Sequence, residues 1–216
     1  MELTLAQAAA GAELSVRRFQ EAVSSGDLPI HRVVGTTQTV DSAILNAFLR
    51  AQAHGRRWAP NTRQAALDLL SGETVTTLTG SALSRLKSRL RTLPVSALAY
   101  HLGASRGWYR YRSTDLPRVE VEQEVIPTGP SLLGDTAYAT RLGLVAGPSN
   151  NLYATVTDLD STEATLRLII DSEGDIFLTE RTTPTMVASL IDLYLFGDVR
   201  ESLAAEEELI RRLRAC

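Results

Sequence analysis

The first 30 residues carry capping and terminating residues that predict two short helices with a tight connection between them. This spacing limits the N-terminal region to a compact helical pair. Thr4, with Gln7 three positions later, forms a capping-box pattern ahead of a first helix. Ser15 caps a second helix, whose apolar residues recur at spacings of three and four, and Gly26 supplies its left-handed stop. Helices this short gain most of their stability from packing, so both must bury an apolar face.

A hairpin and a third helix are predicted to follow this pair. Residues 30–40 alternate polar and β-branched side chains around Gly35-Thr36, which is typical of a two-stranded hairpin. Asp41 then caps a helix with an apolar stripe, and Gly55 follows it. The sequence therefore predicts that a first core closes near residue 55.

The ordered set of residues in this region resembles the excisionase and MerR-like winged helix-turn-helix family. The resemblance lies in the Ala8-Ala9 packing face, the Ser15-Val16-Arg17-Arg18 opening of the second helix and the Gly26-Leu28-Pro29 exit toward the hairpin. It covers roughly the first quarter of the chain. It implies that the second helix enters the major groove of DNA and that the hairpin is the wing.

The second helix also meets the physical requirements of a DNA-recognition helix. An apolar stripe of Val16, Phe19 and Val23 is predicted to dock it, while its other face carries hydrogen-bonding side chains. Arginine pairs with guanine edges, glutamine pairs with adenine, and a serine at a helix N-terminus suits phosphate. The alternative is a small helical interaction domain whose arginines are only solvated. The predicted DNA-binding residues of this helix are Ser15, Arg17, Arg18 and Gln20.

Two further groups of polar residues are predicted to contact DNA outside this helix. In the wing, the residues predicted to contact the DNA backbone or the minor groove are Arg32, Thr36, Thr37 and Gln38. Near Trp58, the basic residues predicted to contact phosphates are Arg56, Arg57 and Arg63. The alternatives are that the wing residues are plain hairpin surface, and that Trp58 belongs to the core beside a solvated basic face.

The two halves of the chain differ in charge sign, although all 216 residues together carry a formal charge of only −3. Residues 1–112 hold 14 basic and 7 acidic residues, a balance of +7, whereas residues 113–216 hold 8 and 18, a balance of −10. This asymmetry predicts that the basic half contacts a polyanion and that the acidic half is repelled by it. We predict a DNA-binding domain at 1–55, a basic helical extension at 56–112 and an acidic α+β domain at 113–216 for protein interaction or regulation.

Helices and strands alternate in the rest of the chain, so the predicted fold class is α+β. Pro60, Ser81 and Pro94 begin three predicted helices, and residues 108–112 alternate like a strand whose aromatic side chains pack in the core. The alternative is that these aromatic residues and the arginines between them form a stacking surface for a single nucleic-acid strand. Residues 113–135, rich in Pro and Gly, are predicted to cross irregularly between domains. The remaining predicted elements are strands at 153–157, 164–170 and 176–179, the last two as a hairpin, and helices at 185–196 and 199–213.

The closing helices resemble those of AbiE-type antitoxins. The resemblance lies in the Asp192-Leu193-Tyr194 run, the Gly197-Asp198-x-Arg200 break and the Ala-Glu-Glu helix after it. It implies a transcriptional repressor of its own operon, encoded beside a nucleotidyltransferase-like toxin. The expected partners are operator DNA, such a toxin and a second copy of the chain. The alternatives are an excisionase-like architectural protein that bends DNA, and an antitoxin that neutralises its target by direct protein contact.

Several classes of site and location are predicted to be absent. The single cysteine, Cys216, excludes an internal disulfide, and three scattered histidines do not form a zinc cluster. The acidic runs at 158–160 and 171–175 lie at strand ends or turns and lack calcium-loop spacing. No catalytic motif is visible, so we predict a non-enzymatic protein without cofactor or metal. No apolar stretch is long enough for a membrane span, and the cytoplasm is the expected compartment.

Overall fold

A computed structural model describes residues 1–53, 55–181 and 184–216, and its first region contains the predicted helical pair and hairpin. Thr4 and Gln7 form the capping box, Ser15 caps the second helix, and Asp41 caps the third through the amides of residues 43 and 44. Gly26 has φ +71°, a conformation that favours glycine. The three strands form an antiparallel sheet in the order β1-β3-β2. The elements are β1 (Glu2–Thr4), α1 (Leu5–Gly11), α2 (Val16–Ser24), β2 (Arg32–Val34), β3 (Thr37–Asp41) and α3 (Ser42–Arg50).

Three helices follow, as the sequence predicts. Pro60 is the first residue of its helix, and Gly72 and Gly103 end two of the helices in the left-handed conformation. The second of the three begins one residue earlier than expected, at Gly80. The elements are α4 (Pro60–Ser71), α5 (Gly80–Leu90) and α6 (Val95–Leu102), followed by strand β4 (Trp108–Ser113).

The remaining chain is mixed, and the α+β class is confirmed, with two sheets in the described residues. Residues 113–135 are more regular than predicted, since they contain a helix, a short strand and a 3-10 helix at Gly129–Gly134. The two predicted closing helices are confirmed. The elements are α7 (Arg118–Gln123), β5 (Ile126–Pro127), α8 (Thr136–Arg141), β6 (Leu152–Val156), α9 (Leu159–Leu166), β7 (Leu168–Ile170), β8 (Ile176–Glu180), α10 (Met186–Phe196) and α11 (Val199–Ala215).

The predicted strand at 164–170 and its hairpin are wrong. Asp158 accepts a hydrogen bond from the amide of Ser161 and starts α9, so residues 164–166 are helical. Only three residues remain for β7. The five-stranded sheet has the order β5-β6-β8-β4-β7, so β4 lies between β7 and β8 and separates the two strands that we predicted to pair.

Both faces of the five-stranded sheet are covered by apolar residues. Trp108, Tyr153 and Phe177 point to one face, where they pack with the N-terminal helices and with Phe196. Tyr111 lies on the other face, in a cluster with residues of α7 and α9. Side chains alternate between the two faces along a strand, so Trp108 and Tyr111, three positions apart on β4, are buried on opposite sides of the sheet.

Helix α10 lies at the centre of the molecule. Seven consecutive residues, Val187 to Leu193, are buried, which is typical of a core helix. Its one charged side chain, Asp192, is fully buried and accepts hydrogen bonds from Thr128 Oγ1 at 2.6 Å and from the Arg181 guanidinium at 2.7 and 3.1 Å. Gly129 lies so close that a Cβ there would be 3.0 Å from the Asp192 Cβ, and its φ of +53° also favours glycine.

The hydrophobic packing crosses the predicted boundaries at residues 55 and 112. One core joins α4, α5 and α6 to α8, α10 and α11. Arg50, the last residue of α3, donates from Nη1 to the carbonyl oxygens of Tyr194, Leu195 and Gly197 and to Ser202 Oγ, at 2.8–3.1 Å. These bonds satisfy carbonyls at the C-terminal end of α10. The N-terminal region is thereby attached to the acidic half.

Candidate nucleic-acid interface

The second helix separates a buried stripe from an exposed polar face. Phe19 and Ala22 are buried against the rest of the N-terminal region, and Val23 is half-buried. Val16, the first residue of α2, was expected in the docking stripe but is 40% exposed. The four predicted DNA-binding residues of this helix, Ser15, Arg17, Arg18 and Gln20, are all exposed.

The exposed polar residues of α2 contact neighbouring polar groups. Arg17, with 86% of its side chain exposed, donates from Nε to Glu21 Oε1 at 3.0 Å. Arg18 donates from Nη2 to Gln52 Oε1 at 2.8 Å, and the Ser15 hydroxyl accepts from the Arg18 amide. An exposed i,i+4 ion pair contributes only about 0.3–0.5 kcal/mol. The Arg17 guanidinium therefore remains available to a phosphate or a base edge at small cost, and the Arg18–Gln52 hydrogen bond is likewise exposed to solvent.

The β2–β3 hairpin holds the predicted wing residues in an exposed strand and turn. Arg32, Thr36 and Thr37 are exposed, and Gln38 is half-buried. Arg32 pairs with Glu2 Oε1 at 3.2 Å, which attaches the edge strand to β1. On the same strand, Val33 and Val34 are each 56% exposed, and neither was among the predicted contact residues.

The structure separates the three arginines predicted near Trp58, of which Arg63 is half-buried on α4. Arg56 is exposed, whereas only 15% of the Arg57 side chain is exposed. The Arg57 guanidinium lies 3.0 Å from Asp27 Oδ2 and over the Tyr100 ring. Burial lowers the pKa of Arg57, and the opposing effect of Asp27 raises it. Arg57 thus faces Asp27, just beyond the end of α2.

Arg106, which was not among the predicted contact residues, contributes to the same contact. Its guanidinium donates to the carbonyl oxygens of Ser25 and Gly26 at 2.6 and 3.0 Å and lies 3.2 Å from Asp27. Arg57 and Arg106 therefore share one carboxylate and fix the C-terminal end of α2. The only sequence signal for this role was a basic residue just ahead of β4.

Trp58 belongs to the core and not to an exposed stacking surface. Its ring is 9% exposed and stacks on His101 with 5.0 Å between centroids and 8° between planes. The Arg89 guanidinium lies over the Trp58 ring, 5.4 Å from its centroid, and donates to His101 Nε2 at 2.8 Å. Of the two interpretations for Trp58, the core interpretation is confirmed.

The acidic runs in the second half bind backbone amides. Asp158 caps α9, and Asp171 accepts from the Glu173 amide and from Arg112 Nε, both at 2.8 Å. Within the described ranges no group of three His, Cys, Asp or Glu side chains is arranged to hold a metal ion. His54 lies outside the described residues.

Two further observations concern membrane-spanning helices and similarity to known proteins. In the part of the chain that the structure describes, no helix is both long and apolar enough to cross a bilayer. Comparison with protein-family models, with curated proteins and with solved structures finds no match to this chain.

Proposed function

We propose that this protein is a sequence-specific DNA-binding regulator whose N-terminal region acts as a winged helix-turn-helix. The observation that carries the proposal is the outer face of α2, where Arg17, Arg18 and Gln20 are exposed on a capped helix with a buried apolar stripe behind them. This is the arrangement that a recognition helix needs to enter a major groove. The exposed hairpin then serves as the wing, with Arg32 for backbone contacts.

The charge distribution supports the same proposal. The +7 balance of residues 1–112 favours contact with a polyanion, and the −10 balance of the second half opposes it. Release of the Arg17–Glu21 and Arg18–Gln52 contacts leaves two guanidinium forks for base edges or phosphates. Arg57 is held by Asp27 and is a positioning residue for α2 in this proposal, while Arg56 is a direct phosphate contact.

The test measures binding of the full chain to its own promoter and to a scrambled duplex of equal composition. We expect a preference for the promoter and affinity that falls steeply with salt, because each phosphate contact releases counterions. Arg17→Ala and Arg18→Ala should each cost about 1–3 kcal/mol at selected base pairs, whereas Arg56→Ala should weaken both duplexes alike.

The matched control is Arg214→Ala, which removes one exposed positive charge from the acidic half. It should leave both affinities close to those of the unmodified chain. Equal losses on both duplexes for Arg17→Ala, Arg18→Ala and Arg56→Ala would contradict base contacts by α2. Absence of any preference for the promoter would contradict the regulator proposal itself.

We further infer that the regulator is the autorepressing antitoxin of a toxin–antitoxin pair and binds its partner through α11. Leu190 and Leu193 of α10 are 1% and 0% exposed and belong to the core, so they are not part of this contact. The exposed residues are Val199 at 74% and Leu203 at 54%, and they line a groove with Leu142 and Leu144. The acidic half around this groove favours a basic partner protein.

The partner proposal is tested by co-purification with the product of the adjacent gene. Leu203→Asp should abolish capture, because a charge in an apolar contact is costly to bury. Val119→Asp is the matched control, since Val119 is 59% exposed on α7 and outside the groove. Capture that survives Leu203→Asp would overturn this surface. A dimer of the chain alone that Leu203→Asp disrupts would assign the groove to a second copy instead.

A further inference from the structure

A cleft between α4, the end of α6 and strand β8 is not used by the proposed DNA contacts of α2. Its volume is about 440 Å³, within the range of roughly 300–1,000 Å³ that small-molecule sites occupy. Apolar walls are formed by Leu67, Leu102, Ala104, Ala188 and Ile191.

Arginine side chains gather at this cleft. Arg63, Arg106 and Arg181 line it, and Arg57 lies behind Gly103. A Cβ at Gly103 would lie 3.4 Å from Arg57 Nη1 and 3.6 Å from Arg63 Nη1, so these guanidinium groups approach the same short stretch of backbone. Like charges this close favour a bound anion.

The protein's own carboxylates only partly balance these charges. Asp192 is bound by Arg181 through two hydrogen bonds, and Asp27 is shared between Arg57 and Arg106. Glu180 lines the cleft and is exposed. Among residues 1–53, 55–181 and 184–216, no carboxylate forms an ion pair with Arg63. The buried Arg57 Nη1 and Nη2 have no hydrogen-bond acceptor there, and the 3.0 Å contact with Asp27 is a charge contact without hydrogen-bond alignment.

We propose that this cleft binds a small ligand with an oxyanion group, a phosphate or a carboxylate, attached to an apolar body. Arg63 is the principal anion contact, because its planar fork is available and matches both oxyanions. The apolar walls receive the rest of the ligand. Arg63, which the sequence predicted as a DNA phosphate contact, is assigned to the ligand here. The proposal does not rest on the DNA contacts of α2, because none of Arg17, Arg18 and Gln20 lines the cleft.

The test uses isothermal titration of the full chain with three probes at equal ionic strength: inorganic phosphate, adenosine monophosphate and benzoate. We expect at least one probe to bind, and Arg63→Gln to weaken it at least tenfold. Arg63→Lys should bind more tightly than Arg63→Gln, since it keeps the charge and loses the fork. Arg85→Gln, at an exposed position of α5, is the control and should bind like the unmodified chain.

The three probes distinguish a phosphate ligand from a carboxylate ligand. Binding of phosphate or the nucleotide in an Arg63-dependent manner assigns a phosphate ligand, and Arg63-dependent binding of benzoate alone assigns a carboxylate. Thermal unfolding of each variant verifies that it is folded. Failure of all three probes, or equal binding by Arg63→Gln and the unmodified chain, would overturn the proposal.

Discussion

His101 is a buried histidine whose environment favours the neutral ring. It is 2% exposed, and its Nε2 accepts from Arg89 Nη2 at 2.8 Å, so the proton is assigned to Nδ1. Burial lowers the pKa of His101, and the positive charge of Arg89 lowers it further. Protonation would remove the acceptor and place a second positive charge beside Arg89.

This environment makes stability depend on pH. The pKa of His101 is lower in the folded chain than the value of about 6.5 for an unfolded chain. The unfolded state therefore binds more protons below that pH, and the free energy of unfolding falls as the pH drops through 6.5 toward the folded pKa. Urea unfolding between pH 7.5 and 5.5 should show this fall, and His101→Gln should reduce its slope. Parallel profiles for the two proteins would contradict the assignment.

At the scale of elements, the sequence predicts the parts whose signals are local. Capped helices such as α1, α2 and α3 are recovered because the cap, the apolar spacing and the stop lie within a few residues of each other. The position of β4 between β7 and β8 depends on pairing across more than 50 residues, which no local pattern encodes. The predicted hairpin at 164–179 failed for that reason.

In the candidate interface, too, the features that follow from local patterns were predictable and those that depend on distant residues were not. Exposure of Arg17, Arg18 and Gln20 follows from the helical period once Phe19 is placed in the core. The burial of Arg57 does not follow from any pattern, because its partner Asp27 lies 30 positions earlier in the chain. Long-range ion pairs of this kind leave no periodic signal in a single sequence.

At the scale of the whole molecule, the packing joins segments that differ in charge and in proposed task. Strand β4 contains the predicted boundary at residue 112 and hydrogen-bonds to two strands of the acidic half. The main core contains residues from both sides of this boundary, and Arg50 connects α3 to the end of α10. A change in the acidic half, which we propose binds a partner, therefore has a continuous packed route to the end of the proposed DNA-binding region.

The two tryptophans allow the cooperativity of this packing to be measured. Trp58 lies in the core of the helices, whereas Trp108 lies between the sheet and the N-terminal region. If the chain unfolds as one unit, the fluorescence of each single-tryptophan protein, Trp58→Phe or Trp108→Phe, should have the same denaturant midpoint as its own circular dichroism. Comparison within one variant cancels the destabilisation that the substitution causes. A fluorescence midpoint that departs from the circular dichroism midpoint in either variant would mean that the two cores unfold separately, and that the charge boundary is also a folding boundary.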